Sequence, residues 1–315
     1  MRAIRLEICV VFALGALLQP LFLVNSADAA VIPMPGAEAS ASARTGTNDA
    51  GTVTNQGAVA VGASRSATDP DFASSRSSST VAGPLRSESE VDGAAGNQGS
   101  SQAGATAKWT ALFNTVGANP GRAIDIGFNV NVDGDLTFGN NNSNVVPGDV
   151  LSGVSLQLSA VSAAGTTSAF NGSAQLSSTS RTTPPSLIRS GDWASPSRNG
   201  DFTFDGVCNQ FGCEVDIDSV IALADAFFVD FSEVFAIEFE LSTEAFIIAG
   251  LELGASADFF NTGTVSLFTN TPGVSIQQAS APPDPDPVPV PVPGTLPLLT
   301  IGLLGVFGLR RRLTG

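Results

Sequence analysis

The chain has 315 residues, a net charge of −15 and 43% hydrophobic residues, which is enough to build a real core in one large domain or two small ones. It contains no histidine, so Ser-His-Asp and Cys-His catalysis and histidine-ligated zinc sites are excluded, and only carboxylate chemistry is left. The negative charge opposes binding to nucleic acid or anionic lipid, and we expect no nucleic-acid partner.

Residues 1–29 have the pattern of a secretory signal peptide. Two arginines lie within the first five residues, an apolar stretch covers residues 8–24, and Ala27 and Ala29 supply the small side chains that a signal peptidase reads. This pattern predicts export and cleavage after Ala29. An uncleaved N-terminal anchor is the alternative.

Residues 30–105 are rich in Ala, Ser, Gly and Thr and have few large apolar side chains. This composition predicts a flexible segment. The stretch GTVTNQGAVAVGAS, residues 51–64, alternates apolar and polar residues as a strand does. We therefore expect one or two small-residue strands that belong to the sandwich, within mobile loops.

Residues 106–280 consist of short runs rich in Val, Ile, Phe and Thr that alternate apolar and polar side chains, as in RAIDIGFNVNVDGDLTF. Turn residues separate many of the runs, including Asn119-Pro120-Gly121, Asp133-Gly134, Pro147-Gly148 and Pro272-Gly273. The pattern predicts an all-β fold, an antiparallel β-sandwich or jelly roll. The stretch SVIALADAFFVDF, residues 219–231, favours a strand but also fits a short helix.

Two cysteines remain after the predicted signal cleavage, Cys208 and Cys213 in CNQFGC. An even pair that closes a short loop in an exported protein is most simply a disulfide. A redox or metal pair is the alternative, but the chain offers no other soft ligand to complete a metal site.

The segment NVDGDLTF places Asn131, Asp133 and Asp135 at alternate positions around a glycine, which resembles the ligand spacing of calcium loops. Calcium is the one cofactor that the sequence leaves open, and the alternative for Asp133-Gly134 is an ordinary hairpin turn. Asp216 and Asp218 could share one face of a strand, and paired carboxylates can hydrolyse glycosidic bonds. Surface acids are the simpler interpretation, and we expect no enzyme activity.

Trp193 lies in the loop-like stretch RSGDWASPSRNGD between two arginines. An exposed tryptophan in such a place can stack on a sugar ring. The alternative is a tryptophan folded back into the core as a plug.

The C-terminal tail has three parts. Residues 281–293 contain PPDPDPVPVPVP, which predicts an extended polyproline stalk of roughly 35 Å. Residues 294–315 begin with an uncharged run that predicts a transmembrane helix over 295–309, of ~24 Å or less against a hydrocarbon core of ~30 Å. Arg310, Arg311 and Arg312 would hold its end on the cytoplasmic side of the inner membrane, with the body outside.

These three parts in this order, VPVPGTLPLLTIGLLGVFGLRRR, resemble a PEP-CTERM sorting signal, with Val-Pro-Val-Pro where Pro-Glu-Pro is usual. The resemblance implies processing by a membrane exosortase, in bacteria that make exopolysaccharide or biofilm matrix. The residues that would carry sorting and processing are Val290, Pro291, Val292, Pro293, Gly294 and the three arginines.

The body more loosely resembles the β-rich ectodomain of such proteins, which implies one sandwich over residues 45–278. From the tail and the body together we expect an exported structural protein of the cell surface or extracellular matrix. The alternative is a carbohydrate-binding sandwich that retains extracellular polysaccharide.

Overall fold

The structure is a computed structural model, and it describes residues 32–46, 48–69, 71–93, 100–140, 150–178, 186–195, 201–209, 212–248 and 253–279. The predicted signal peptide, proline stalk and sorting signal, with the processing residues 290–294 and 310–312, lie outside these ranges. Within the described residues, no helix has both the length and the apolar character needed to cross a membrane.

The described residues form fifteen β-strands and one short 3-10 turn. These are β1 (Gly36–Thr45), β2 (Asn48–Gly57), β3 (Ala60–Asp69), β4 (Asp71–Thr80), β5 (Leu85–Asp92), β6 (Ser101–Gly117), β7 (Ile124–Asn140), β8 (Val150–Ser162), β9 (Gly165–Ser178), β10 (Ser186–Gly191), the 3-10 turn Asp192–Ala194, β11 (Asp201–Asn209), β12 (Gly212–Val229), β13 (Val234–Ile247), β14 (Leu253–Phe268) and β15 (Val274–Gln278).

The strands form two antiparallel sheets that face each other. Sheet 1 has the order β10-β9-β8-β13-β6-β1-β2, and β15 pairs with the end of β6. Sheet 2 has the order β11-β12-β7-β14-β5-β4-β3. This arrangement confirms the predicted all-β, antiparallel, sandwich-like fold.

One part of the core is built from large apolar side chains, as the alternating pattern predicted. On β7, Ile124, Ile126 and Phe128 are fully buried and point between the sheets. Phe227 of β12 stacks on Phe128 at 5.7 Å between ring centroids and meets Phe235 of β13 edge-on at 5.4 Å. Each buried Phe or Ile contributes about 1.5–3 kcal/mol, so this region supplies much of the hydrophobic stabilisation.

The other part of the core is built from alanine and serine. The side chains of β1 that point between the sheets are alanine at Ala37, Ala39, Ala41 and Ala43, and Thr45 is buried at the end of the strand. Opposite them, β4 presents serines. Because these side chains are small, the two sheets can approach more closely than the ~10 Å usual for stacked sheets.

Serine hydroxyls bridge this narrow gap directly to the backbone of the opposite sheet. On β4, the hydroxyl of Ser75 donates to the carbonyl of Ser42 at 2.8 Å, and that of Ser77 donates to the carbonyl of Ser40 at 2.8 Å. Ser79 donates in the same way at 2.5 Å, to the carbonyl of Lys108 on β6. Each of these three serine hydroxyls therefore has a partner, which removes the cost of burying it unpaired.

A hydroxyl cluster joins β5 to the middle of sheet 1. The Ser87 hydroxyl donates to the carbonyl of Ala105 at 2.9 Å and lies 2.8 Å from the Thr243 hydroxyl. The Ser89 hydroxyl lies 3.0 Å from the same Thr243 oxygen. These contacts explain why residues 36–92 contribute five strands where composition predicted one or two, since polar side chains here replace the missing apolar ones.

The expected turn at Asp133-Gly134 is wrong, because β7 runs straight through it. The neighbouring strand β14 has a register shift between Asp258 and Thr262 at this point. A Cβ atom on residue 134 would lie 2.4 Å from the carbonyl oxygen of Asp258. Gly134 is thus needed because the backbone of β14 approaches closely at this point. A glycine in a strand sequence indicates such a close approach as readily as it indicates a turn.

Other turn predictions are confirmed. Gly121 and Gly273 lie in the connections before β7 and β15 with φ values of 66° and 76°. Pro147-Gly148 lies outside the described residues. In the ambiguous stretch 219–231, residues 219–229 are strand in β12, whose register shifts between Leu223 and Phe227. This irregularity explains why its apolar spacing fitted neither period.

The two ends of the described body meet on sheet 1. Ala279 donates its backbone N–H to the carbonyl of Leu112 at 2.8 Å, and Ile32 packs against the same small apolar cluster.

The connection before β15 is held by Asp125, whose carboxylate accepts hydrogen bonds from the Thr271 hydroxyl and from the backbone N–H of Asn270 at 3.0 Å. The Thr271 hydrogen bond is the main cause that lowers the pKa of Asp125.

The close approach of the sheets predicts a difference between two adjacent serines of β4. Ser77→Val should lower the free energy of unfolding by about 1–3 kcal/mol, because the larger side chain overfills the gap and the bond to Ser40 is lost. Ser78→Val, on the outer face of the same strand, should change it by less than about 0.5 kcal/mol. Chemical denaturation of both variants measures the difference, and equal effects would contradict the narrow serine-bridged core.

Candidate functional site: an acidic sheet face

Three carboxylates lie in one row across the outer face of sheet 2. Asp135 of β7 is directly opposite Asp216 of β12 on one side and Asp258 of β14 on the other. Their side chains share a face because each belongs to the outward-pointing set of its strand. Directly opposite residues of antiparallel strands have Cβ atoms ~4.5–5.5 Å apart, so the three carboxylates are close neighbours.

A second acidic pair lies in the adjacent row, where Asp133 of β7 is opposite Asp218 of β12. Glu214 belongs to the same outward set of β12, one row to the other side. We call these six carboxylates together the acidic face: Asp133, Asp135, Glu214, Asp216, Asp218 and Asp258.

The acidic face unites two sets of residues that the sequence had predicted separately. Asp133 and Asp135 came from the calcium hypothesis, and Asp216 and Asp218 from the glycosidase hypothesis. Strand pairing between β7 and β12 brings them together, as the register shows. Sequence reasoning did not connect Asp258 or Glu214 to either set, because their positions depend on pairing between strands that are distant in the chain.

Crowding of negative charge affects Asp135 most. Burial and the neighbouring carboxylates Asp258, Glu214, Asp216 and Asp133, in that order, raise the pKa of Asp135 to about 6. The acidic face therefore gains a proton between neutral pH and weakly acidic pH, unlike an isolated aspartate.

On sheet 2, basic side chains lie only on the strands beyond the acidic face. Asp258 is opposite Glu88 of β5, and Glu88 forms an ion pair with Arg76 of β4. The guanidinium of Arg76 also lies 4.0 Å from the centroid of the Phe260 ring. Next to it, burial raises the pKa of Glu90, with Glu88 and Asp92 adding to the effect.

The geometry differs from a calcium loop. The three weak calcium candidates, Asn131, Asp133 and Asp135, lie in the middle of strand β7 and point outward along it, and not in a loop. Among the described residues, no group of three or more His, Cys, Asp or Glu side chains could hold a metal ion. Asp216 and Asp218 do share one face of a strand, and both are exposed on it.

Trp193 is fully buried, which contradicts the possible sugar contact and agrees with the alternative of a core plug. It lies in the 3-10 turn after β10 and meets Phe170 of β9 edge-on at 6.0 Å between ring centroids. An indole is large enough that burial against β9 is more favourable than exposure.

Cys208 and Cys213 are directly opposite each other on β11 and β12, with their Cα atoms 4.1 Å apart and their sulfurs at disulfide distance. The pair joins the edge strand β11 to the strand that carries Glu214, Asp216 and Asp218.

A second polar surface, which sequence reasoning missed, crosses the outer face of sheet 1. Seven successive strands each place a hydroxyl residue at the same register, with hydroxyl oxygens 2.9 Å apart between Thr106 and Ser242. The seven are Thr54, Ser40, Thr106, Ser242, Ser155, Ser173 and Ser190. A groove of about 360 Å³ lies along this row, and its lining includes Ser155 and Ser242 of the row together with Gly104, Glu244 and Gly153.

The raised pKa of Asp135 predicts a pH-dependent effect of removing its charge. A carboxyl group whose pKa is about 6 in the folded protein and ~3.9 in the unfolded chain destabilises the fold as the pH rises between these values. Asp135→Asn should therefore raise the melting temperature at pH 7 and leave it nearly unchanged at pH 3.

The matched control is Glu240→Gln on sheet 1, where the carboxylate is directly opposite Lys108. This change should not raise the melting temperature at pH 7. A gain for Asp135→Asn that is the same at pH 3 and pH 7, measured by thermal unfolding, would contradict repulsion within the acidic face.

Comparison with known proteins gives one match. Residues 289–312 match the PEP-CTERM protein-sorting motif, which covers the predicted processing residues and the three arginines. No curated protein and no solved structure matches the chain. The chain therefore carries a PEP-CTERM protein-sorting motif at its C-terminal end, as its tail predicted, and this motif is consistent with an exported protein that an exosortase sorts.

Proposed function

We propose that this protein is a structural component of the bacterial cell surface or extracellular matrix, sorted and processed by an exosortase. The observation that carries the proposal is the PEP-CTERM motif at residues 289–312. Residues 1–29 direct export and are removed by a signal peptidase. The apolar run 295–309 then holds the chain in the inner membrane until the exosortase cuts near Val290–Gly294.

The composition of the outer faces supports a structural role outside the cell. The acidic face and the hydroxyl row are both broad, solvated surfaces on long strands. Negative charge on sheet 2 keeps the released protein soluble and away from anionic membranes. A disulfide between Cys208 and Cys213 suits an oxidising compartment.

Carbohydrate binding is the second candidate, and the groove on sheet 1 favours it. Serine and threonine hydroxyls, two glutamine amides and the Glu244 carboxylate line this groove, and they can donate to and accept from sugar hydroxyls. An exopolysaccharide chain would lie across the strands. Glycoside hydrolysis by Asp216 and Asp218 has less support, because both lie on an open strand surface.

Processing can be tested through the intact mass of the mature protein released by its own host. The proposal predicts a dominant species that begins at Ala30 and ends between Val290 and Gly294, without Arg310, Arg311 and Arg312. The matched control is the same protein from a host that lacks exosortase activity, which should retain the arginines. A dominant species that keeps them in the normal host would contradict exosortase processing.

Carbohydrate binding predicts that blocking the groove abolishes retention on the host exopolysaccharide. Ser155→Trp places a bulky ring in the groove, whereas Gln157→Trp places the same ring on the same strand and face beyond the groove lining. Loss of cosedimentation with the polysaccharide in the first variant only would support the site. Equal binding by both variants and the unmodified protein would contradict it.

A further inference from the structure

Each sheet of the sandwich ends in two edge strands, and these four strands differ in how they are protected. An edge strand has backbone N–H and C=O groups that can pair with another chain, and natural proteins usually block them with charge, short length or side-chain caps. Sheet 1 ends in β10 and β2, and sheet 2 ends in β11 and β3. A further edge of sheet 1, β15, pairs only with the end of β6 and is protected by its length of five residues.

Three of these edges carry such protection. β3 is capped from the facing sheet, because the Asn55 side-chain amide donates to the carbonyl of Gly62 at 2.6 Å and that of Asn48 donates to the carbonyl of Thr68 at 3.3 Å. β10 is only six residues long and carries Arg189. β11 lies beside β12 and its carboxylates, which would repel a second negatively charged chain.

The remaining edge, β2, has one irregular end and one regular, unprotected segment. Its ladder with β1 shifts register opposite Ser42 and Arg44, where Gly51 has a φ of 68° and its N–H bonds to the Asp49 side chain at 2.8 Å. Beyond this bulge, residues 52–57 pair with β1 without interruption.

This segment has the sequence TVTNQG, with no charged residue and no proline. Four of its six side chains are exposed. Within the described residues, β2 pairs with β1 on one side only. Six extended residues span ~20 Å, which is enough for one short strand pair.

We propose that residues 52–57 are a docking edge for a second copy of this protein, which adds its own β2 antiparallel and continues sheet 1 across the two molecules. The charge distribution selects this partner and this place. The chain carries a net charge of −15, so two copies repel each other over most of their surface, and the uncharged edge is where they can approach.

Self-pairing about Thr54 keeps the new strand pair within the regular segment. It places Thr54 of each copy opposite Thr54 of the other and Thr52 opposite Gln56, and facing threonines form one of the stabilising cross-strand pairs. Because Thr54 is the last member of the hydroxyl row, pairing would extend that row into the second molecule. The Glu38 carboxylate on the neighbouring strand accepts a hydrogen bond from Gln56 at 2.8 Å, which holds it beside β2.

The test uses charge exchange at the two exposed threonines in the full-length chain, purified in a mild non-ionic detergent. Sedimentation velocity at increasing protein concentration should show the unmodified chain doubling its mass. The variants T52K/T54K and T52E/T54E should each stay monomeric. A 1:1 mixture of the two should regain the doubled mass at low salt and lose it at high salt.

The matched control is S186K/S190K, which adds the same charges to the other edge of sheet 1 and should associate like the unmodified chain. Thermal unfolding checks that each variant is folded. If a double variant does not fold, the single variant T54K replaces it in the same measurement. The proposal is overturned if the unmodified chain stays monomeric, if the threonine variants still associate, or if the S186K/S190K control alone abolishes association. None of these readouts depends on exosortase processing, so the two proposals can fail separately.

Discussion

The fold of residues 36–92 depends on one interaction, in which serine hydroxyls donate across the sandwich to backbone carbonyls. Residues 36–92 bury alanine and serine where most sandwiches bury leucine, valine and phenylalanine. Their small apolar area would not offset the conformational entropy of ordering five strands. The close sheet spacing that alanine permits lets Ser75, Ser77 and Ser79 reach the opposite backbone, so polar contacts contribute what apolar area cannot.

This narrow core also determines what the outer surfaces can be. Most inward positions of β1, β4 and β5 are alanine or serine, and their outward positions carry solvated side chains. Sheet 1 presents hydroxyls in a continuous row, and sheet 2 presents carboxylates whose mutual repulsion raises the pKa of Asp135. The protein therefore has one outer face with a continuous row of hydroxyls and one with a dense group of carboxylates, and the free edge β2 lies beside the former. This division fits the proposed structural role.

Much of the fold could be predicted from the sequence, and the exceptions have physical causes. Alternation of apolar and polar residues on β7 predicted strands correctly, because the period of two is local. The acidic face could be predicted only in fragments, since Asp135, Asp216 and Asp258 meet through pairing of strands far apart in the chain. Composition predicted too few strands in residues 36–92. A prediction from composition depends on the number of apolar side chains and does not include hydroxyls that form hydrogen bonds between the sheets. The burial of Trp193 likewise depends on β9, which its own sequence context does not reveal.

The central claim is that the alanine- and serine-rich segment is an integral part of the sandwich. Hydrogen exchange, followed by mass spectrometry on peptides that cover β1, β4 and β5, tests it most directly. The structure predicts that their amides are protected to a degree similar to those of β6 and β13, because all five strands are joined through the same core. Exchange of residues 36–92 at the rate of an unstructured chain, while β6 and β13 remain protected, would contradict it.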